Sequence, residues 1–117
     1  MVSKEIKNPV IKTFEQSSLG VGSSWSEEWD SDDNYIIRHI LIKADGAATT
    51  KSTITVRVNN VAITKDKALC NTFGSSAENA LLLNIDLDKD VKFDFELINN
   101  EGATKDFTLE LVLEKKE

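Results

Sequence analysis

Thr53-Ile54-Thr55-Val56-Arg57-Val58-Asn59-Asn60-Val61-Ala62-Ile63-Thr64 is the stretch on which the fold turns. Apolar Ile54, Val56 and Val58 alternate with Thr53, Thr55 and Arg57, the period of a strand with one buried and one wet face. Asn59-Asn60 interrupts the pattern, and Val61 and Ile63 resume it. Asparagine tolerates positive φ, so the pair predicts a two-residue type I′ turn. That register sets Val58 against Val61 and Val56 against Ile63 on one face, with Thr55 against Thr64 on the other. Each face agrees in polarity with itself, as a true hairpin requires.

The same period recurs outward from the hairpin. Phe107, Leu109, Leu111 and Leu113 alternate with Thr108, Glu110 and Glu114, with Val112 as the exception. Val91, Phe93, Phe95 and Leu97 alternate with Lys92, Asp94 and Glu96, and the turn Asn99–Thr104 follows. Leu81, Leu83, Ile85 and Leu87 form another apolar row, joined to the next by Asp88-Lys89-Asp90. Tyr35–Ala44 is apolar on both faces near its middle, as in a central strand, and Asp45-Gly46-Ala47-Ala48 ends it. A first strand is expected where Val10, Lys12 and Phe14 alternate with Ile11, Thr13 and Glu15. The small-residue stretch Ser17–Ser24 reads as a loop, and Trp25–Trp29 as a short strand with both indoles on one face. Between residues 66 and 79 period two is lost, and Lys67–Thr72 suits one helical turn.

About eight strands with no helix between them exclude a parallel βαβ sheet and predict an all-β antiparallel sandwich. In a jelly roll only the fourth and fifth strands are neighbours within one sheet; the other links cross between sheets. Asn59-Asn60 joins the fourth and fifth strands here, which favours a jelly roll over the alternative, an immunoglobulin-like sandwich. Asp88-Lys89-Asp90 argues the other way, since so short a link suits a plain hairpin.

The chain has 117 residues and 13.0 kDa. It is expected to form one domain over 1–117, with 1–8 as an N-terminal arm, and to bury roughly two-thirds of its unfolded surface. Twenty acids against fourteen bases give a net charge of -6, which opposes a general nucleic-acid or anionic-membrane binder. Five of the acids (Glu27, Glu28, Asp30, Asp32 and Asp33) lie between Trp25 and Asn34 with no base among them, so that segment holds -5. Arg38, Lys43, Lys51, Arg57, Lys65 and Lys67 give the middle a basic bias, suited to contacts between copies of the chain. One cysteine excludes an internal disulfide, and one histidine excludes the common His-rich zinc sites. The first residues carry no apolar run and no segment is long enough to span a bilayer, so cytoplasmic synthesis without a signal peptide or membrane span is expected.

Few residues suggest chemistry. Asp30, Asp32 and Asn34 have the odd spacing by which loop oxygens converge on calcium. Tyr35 stands where the sharp-turn glycine belongs, however, and Leu41 where the closing acid belongs, so a solvated turn with Asx-type bonds is the plainer reading. Asp86, Asp88 and Asp90 repeat the pattern with Val91 in place of the glycine. Trp25 and Trp29, with Tyr35, offer a platform for sugar rings if exposed, and otherwise close the sandwich or an interface. His39 in its apolar strand reads as a packed or rim residue and Cys70 as a buried inert thiol. Gly20 and Gly22 precede no phosphate-loop lysine.

On this strand plan the chain resembles the small single jelly-roll proteins of virions, minor capsid or spike components of archaeal and bacterial viruses. The hairpin Thr53–Thr64 and the run Ala80–Leu113 carry the likeness, which is architectural and covers most of the chain. It implies a non-enzymatic structural or assembly protein that self-associates into a homo-oligomer and enters a virion. The alternative is a carbohydrate-binding module using Trp25 and Trp29. A cupin-type enzyme shares the plan but needs clustered metal ligands, for which His39 alone is insufficient. No cofactor is expected apart from the calcium alternative at Asp30, Asp32 and Asn34.

Overall fold

The computed structural model describes residues 6–76 and 78–117; of the expected N-terminal arm, residues 1–5 lie outside the described residues. In chain order the strands are β1 (Pro9–Leu19), β2 (Ser24–Asp30), β3 (Tyr35–Ala44), β4 (Ala47–Ala48), β5 (Thr53–Val58), β6 (Val61–Ala62), β7 (Ala68–Leu69), β8 (Ile85–Leu87), β9 (Lys92–Ile98) and β10 (Lys105–Lys115). One turn of 3-10 helix, Cys70–Thr72, follows β7. None of the described residues forms a helix long and apolar enough to cross a membrane.

The strands form two five-stranded antiparallel sheets packed as a sandwich. Sheet A runs β1-β10-β3, with β4 and β8 both on the far side of β3. Sheet B runs β2-β9-β5, with β6 and β7 both on the far side of β5. The chain changes sheet from β1 to β2, β2 to β3, β4 to β5, β7 to β8, β8 to β9 and β9 to β10, whereas the β3–β4 and β5–β6 hairpins each stay within one sheet. This order is consistent with a jelly roll. The core is the alternating apolar row of each strand: Phe14, Ile40, Ile42, Leu109 and Leu111 from sheet A meet Trp25, Ile54, Val56, Phe93 and Phe95 from sheet B. Burying each such side chain stabilises the fold by about 2 kcal/mol, so the period-two pattern drives the pairing.

The Asn59-Asn60 turn is as expected: both residues have positive φ (53° and 63°), and Val58 pairs with Val61. Ile63 N–H still bonds the Val56 carbonyl at 2.9 Å, but Val61 lies beyond the core and is exposed. Asp45-Gly46 makes a second tight turn (φ 50° and 77°), joining β3 to β4, where only a strand end was expected. The stretch Ser17–Ser24 is not all loop, because β1 continues through an irregularity to the buried Leu19. The short Asp88-Lys89-Asp90 link does cross between sheets. Asp90 turns the corner at φ 69°, and its N–H bonds the Ser31 carbonyl at 2.8 Å.

Two departures shape sheet A. Val112 pairs with His39 but Leu113 with Ile37, so Arg38 is an extra residue in β3, a bulge. Buried positions pass from Tyr35 and Ile37 to Ile40, Ile42 and Ala44, and this change of phase accounts for part of the strand's two-sided apolarity. The row Leu81–Leu87 is a strand only over Ile85–Leu87. Before that, residues 73–76 and 78–83 cover the edge of β3 irregularly: Leu83 N–H bonds the Arg38 carbonyl (2.7 Å), and Ile42 N–H bonds the Gly74 carbonyl (2.9 Å). Gly74 has φ 102°, and a Cβ there would lie 2.6 Å from Ala80 Cα, so the crossing requires glycine.

Candidate functional site

The tryptophan-bearing acidic segment forms one corner of the sandwich, where β2 turns into β3 against the β8–β9 link. Trp25, Glu27 and Trp29 share the inward face of β2, as expected for the indoles. Trp25 is only 3% exposed and packs edge-on to Phe95 (4.9 Å, 86°), while its Nε1 donates to Glu27 Oε2 at 3.0 Å. Its ring is therefore not open to solvent, as the platform of Trp25 with Trp29 would need. The half-buried Trp29 stacks on the buried Tyr35 (6.2 Å, 30°). Lys12 Nζ lies 5.3 Å from both the Trp29 and the Phe14 rings, closing the seam between β1 and β2.

Most charges within this corner are partnered. Tyr35 Oη donates to Asp32 (2.9 Å), and burial together with that bond pushes the phenol pKa up to about 12. Asp33 accepts from Asn34 N–H at 2.7 Å and meets Lys115 at 3.2 Å, and these contacts hold its carboxyl below the usual range. Asn34 Oδ1 accepts from Lys89 N–H at 2.9 Å. Lys116 bridges Asp88 (2.7 Å) and Asp86 (3.0 Å), and their hydrogen bonds raise its pKa. Asp30 lies on the outward face of β2, paired in register with Lys92. The suggested calcium ligands Asp30, Asp32 and Asn34 thus point to different neighbours. Among the described residues no three His, Cys, Asp or Glu side chains form a group able to hold a metal ion. Cys70 is buried, which pushes its thiol up to about 12 and leaves no thiolate nucleophile at neutral pH.

The outer faces of the two sheets differ sharply. Sheet B carries a depression of about 670 Å³ whose lining includes Glu28, Thr55, Arg57, Lys92, Asp94 and Glu96. Arg57 pairs with Asp94 at 2.8 Å and Lys92 with Glu28 at 3.5 Å. Sheet A instead bears an apolar row across its strands. Ile11 pairs with Val112 and Val112 with His39, and His39 Nδ1 donates to the Leu81 carbonyl at 3.1 Å. Ile11 is 52% exposed, and Leu81 and Leu82 at the far end are 46% and 47% exposed. Sequence reasoning passed over this row, although its signal was present: Ile11 and Val112 are apolar residues at positions where their strands should be polar.

The outer edges of both sheets, β1 and β2, lie on the same side of the sandwich. Each points a charge inward, Lys12 from β1 and Glu27 from β2. Inward charges on edge strands oppose the addition of a further strand, because pairing would bury them.

A scan against protein-family models returns no match for this chain, and neither does a search of curated proteins.

Proposed function

We propose that this chain is a non-enzymatic structural protein that assembles with copies of itself, the class represented by the small single jelly-roll virion proteins it resembles. The apolar row Ile11–Val112–His39–Leu81, with Leu82, carries the reading. The exposed Ile11 at one end of this row and Leu81 and Leu82 at the other cost solvation in the monomer and favour a contact that covers them. The guarded edges at β1 and β2 direct association to a sheet face rather than to strand addition. A jelly-roll-consistent strand order and partnered acids at the tryptophan corner support the same class.

Light scattering across a concentration series tests this. The reading expects a mass above that of one chain, rising to a defined oligomer. A mass that stays at 13.0 kDa at the highest concentration would remove its main support.

A further inference from the structure

The loop between β9 and β10 is held by one carboxylate in an unusually complete set of donors. Glu101 Oε1 accepts from Thr50 N–H (2.8 Å) and Thr50 Oγ1 (3.0 Å). Its Oε2 accepts from Lys51 N–H (3.0 Å), Ser52 N–H (2.8 Å) and Ser52 Oγ (2.7 Å). Three consecutive amides and two hydroxyls therefore converge on a single anionic group, the geometry of a backbone anion-binding nest. Burial opposes the charge, but the Ser52 hydroxyl and the Lys51, Thr50 and Ser52 amides outweigh it and hold the Glu101 carboxyl at about 2.

The donors are positioned by contacts that do not involve Glu101. The Ser52 carbonyl accepts from Cys70 N–H at 2.9 Å, Ser52 leads directly into β5, and Thr49 on the other side is buried. The acid, by contrast, is carried on a turn. Its own N–H bonds Asn99 Oδ1 (2.8 Å), and the buried Asn99 anchors the turn to the Leu19 and Ala103 carbonyls. The nest is thus built into the body of the fold, and its ligand is delivered by a loop.

We propose that Thr50–Lys51–Ser52 is a carboxylate-binding site that the chain fills with its own Glu101, and that it accepts a carboxylate from outside when that side chain is removed. This inference does not depend on the assembly reading. The segment itself carries the Lys51 ammonium, and the Glu101 charge reaches the Cys70 thiol, whose protonated state it reinforces after burial.

The test is Glu101→Ala followed by backbone amide NMR with added sodium acetate, against sodium chloride at equal ionic strength. The expected result is a saturable shift of the Thr50, Lys51 and Ser52 amides in the variant with acetate, absent with chloride and absent from the wild type. Shifts that do not saturate, or that are equal in the wild type, would overturn the site. If Glu101→Ala does not fold in chloride, its refolding yield is the readout: acetate-dependent recovery supports the nest, and equal failure in both salts overturns it. Denaturation of the wild type and Glu101→Gln across pH gives a second measure. A carboxyl held below its ordinary 4.5 stabilises the fold above that pH, and this contribution is lost as pH falls toward 2. Glu101→Gln should lack that slope; an unchanged slope would show that the carboxylate is not gripped.

Discussion

Each outer face of the sandwich carries an arginine–carboxylate pair, and the two pairs sit in opposite surroundings. On sheet A, Arg38 is buried at the β3 bulge, bonded to Glu114 (3.2 Å) and to Asn84 (3.0 Å) beneath the segment that covers the β3 edge. On sheet B, Arg57 meets Asp94 at 2.8 Å with its side chain 52% exposed over an open polar depression. The shorter bond belongs to the more solvated pair, so distance alone does not rank them. Removing Glu114 strands a buried guanidinium, whereas removing Arg57 takes away a half-exposed group and leaves Asp94, which is buried but borders the open depression. The covered face is also the one with the apolar row, and the depression on the open face is lined mostly by polar and charged residues.

The sharpest way to break this contrast is Glu114→Ala. It leaves the buried Arg38 guanidinium, bonded to Asn84, without its carboxylate and should cost about 4 kcal/mol in urea denaturation. A cost below that of removing Arg57 would erase the distinction between the faces. Next in size is Gly74→Ala, which attacks the cover itself. A side chain at φ 102°, pressed on Ala80, should cost about 3 kcal/mol and speed amide exchange at Ile42, whose N–H bonds the Gly74 carbonyl. Smallest is Arg57→Ala on the open face, expected at about 1 kcal/mol: the guanidinium is half exposed, but its loss leaves the buried Asp94 carboxylate without that partner.

Much of this architecture was legible in the residues. Period-two alternation placed β5, β9 and β10, and Asn59-Asn60 announced its turn through a backbone conformation few other residues adopt. The sandwich followed, since every apolar row needed a partner sheet. What escaped was set by tertiary context. Leu81 and Leu83 alternate as a strand would, yet the bulge at Arg38 and the crossing at Gly74 divert that segment from the ladder. Asp88–Asp90 looked too short to change sheets because the bonds that turn it come from Ser31 and Asn34, more than fifty residues away. The candidate site was legible in part. Trp25 and Trp29 do share a face, but whether that face pointed to solvent or core depended on Phe95 and Tyr35. Glu101 read only as part of a turn, because a nest of amides has no side-chain signature.

The most direct measurement is sedimentation equilibrium of the wild type beside two surface variants, Ile11→Lys on sheet A and Thr55→Lys on sheet B. Both add one charge to an outward strand position, so they differ in which face they mark. Assembly through the apolar row predicts an oligomer for the wild type and Thr55→Lys, and a monomer for Ile11→Lys with its fold intact by circular dichroism. Oligomers that survive Ile11→Lys but dissociate with Thr55→Lys would contradict the account, as would a wild type that is monomeric throughout.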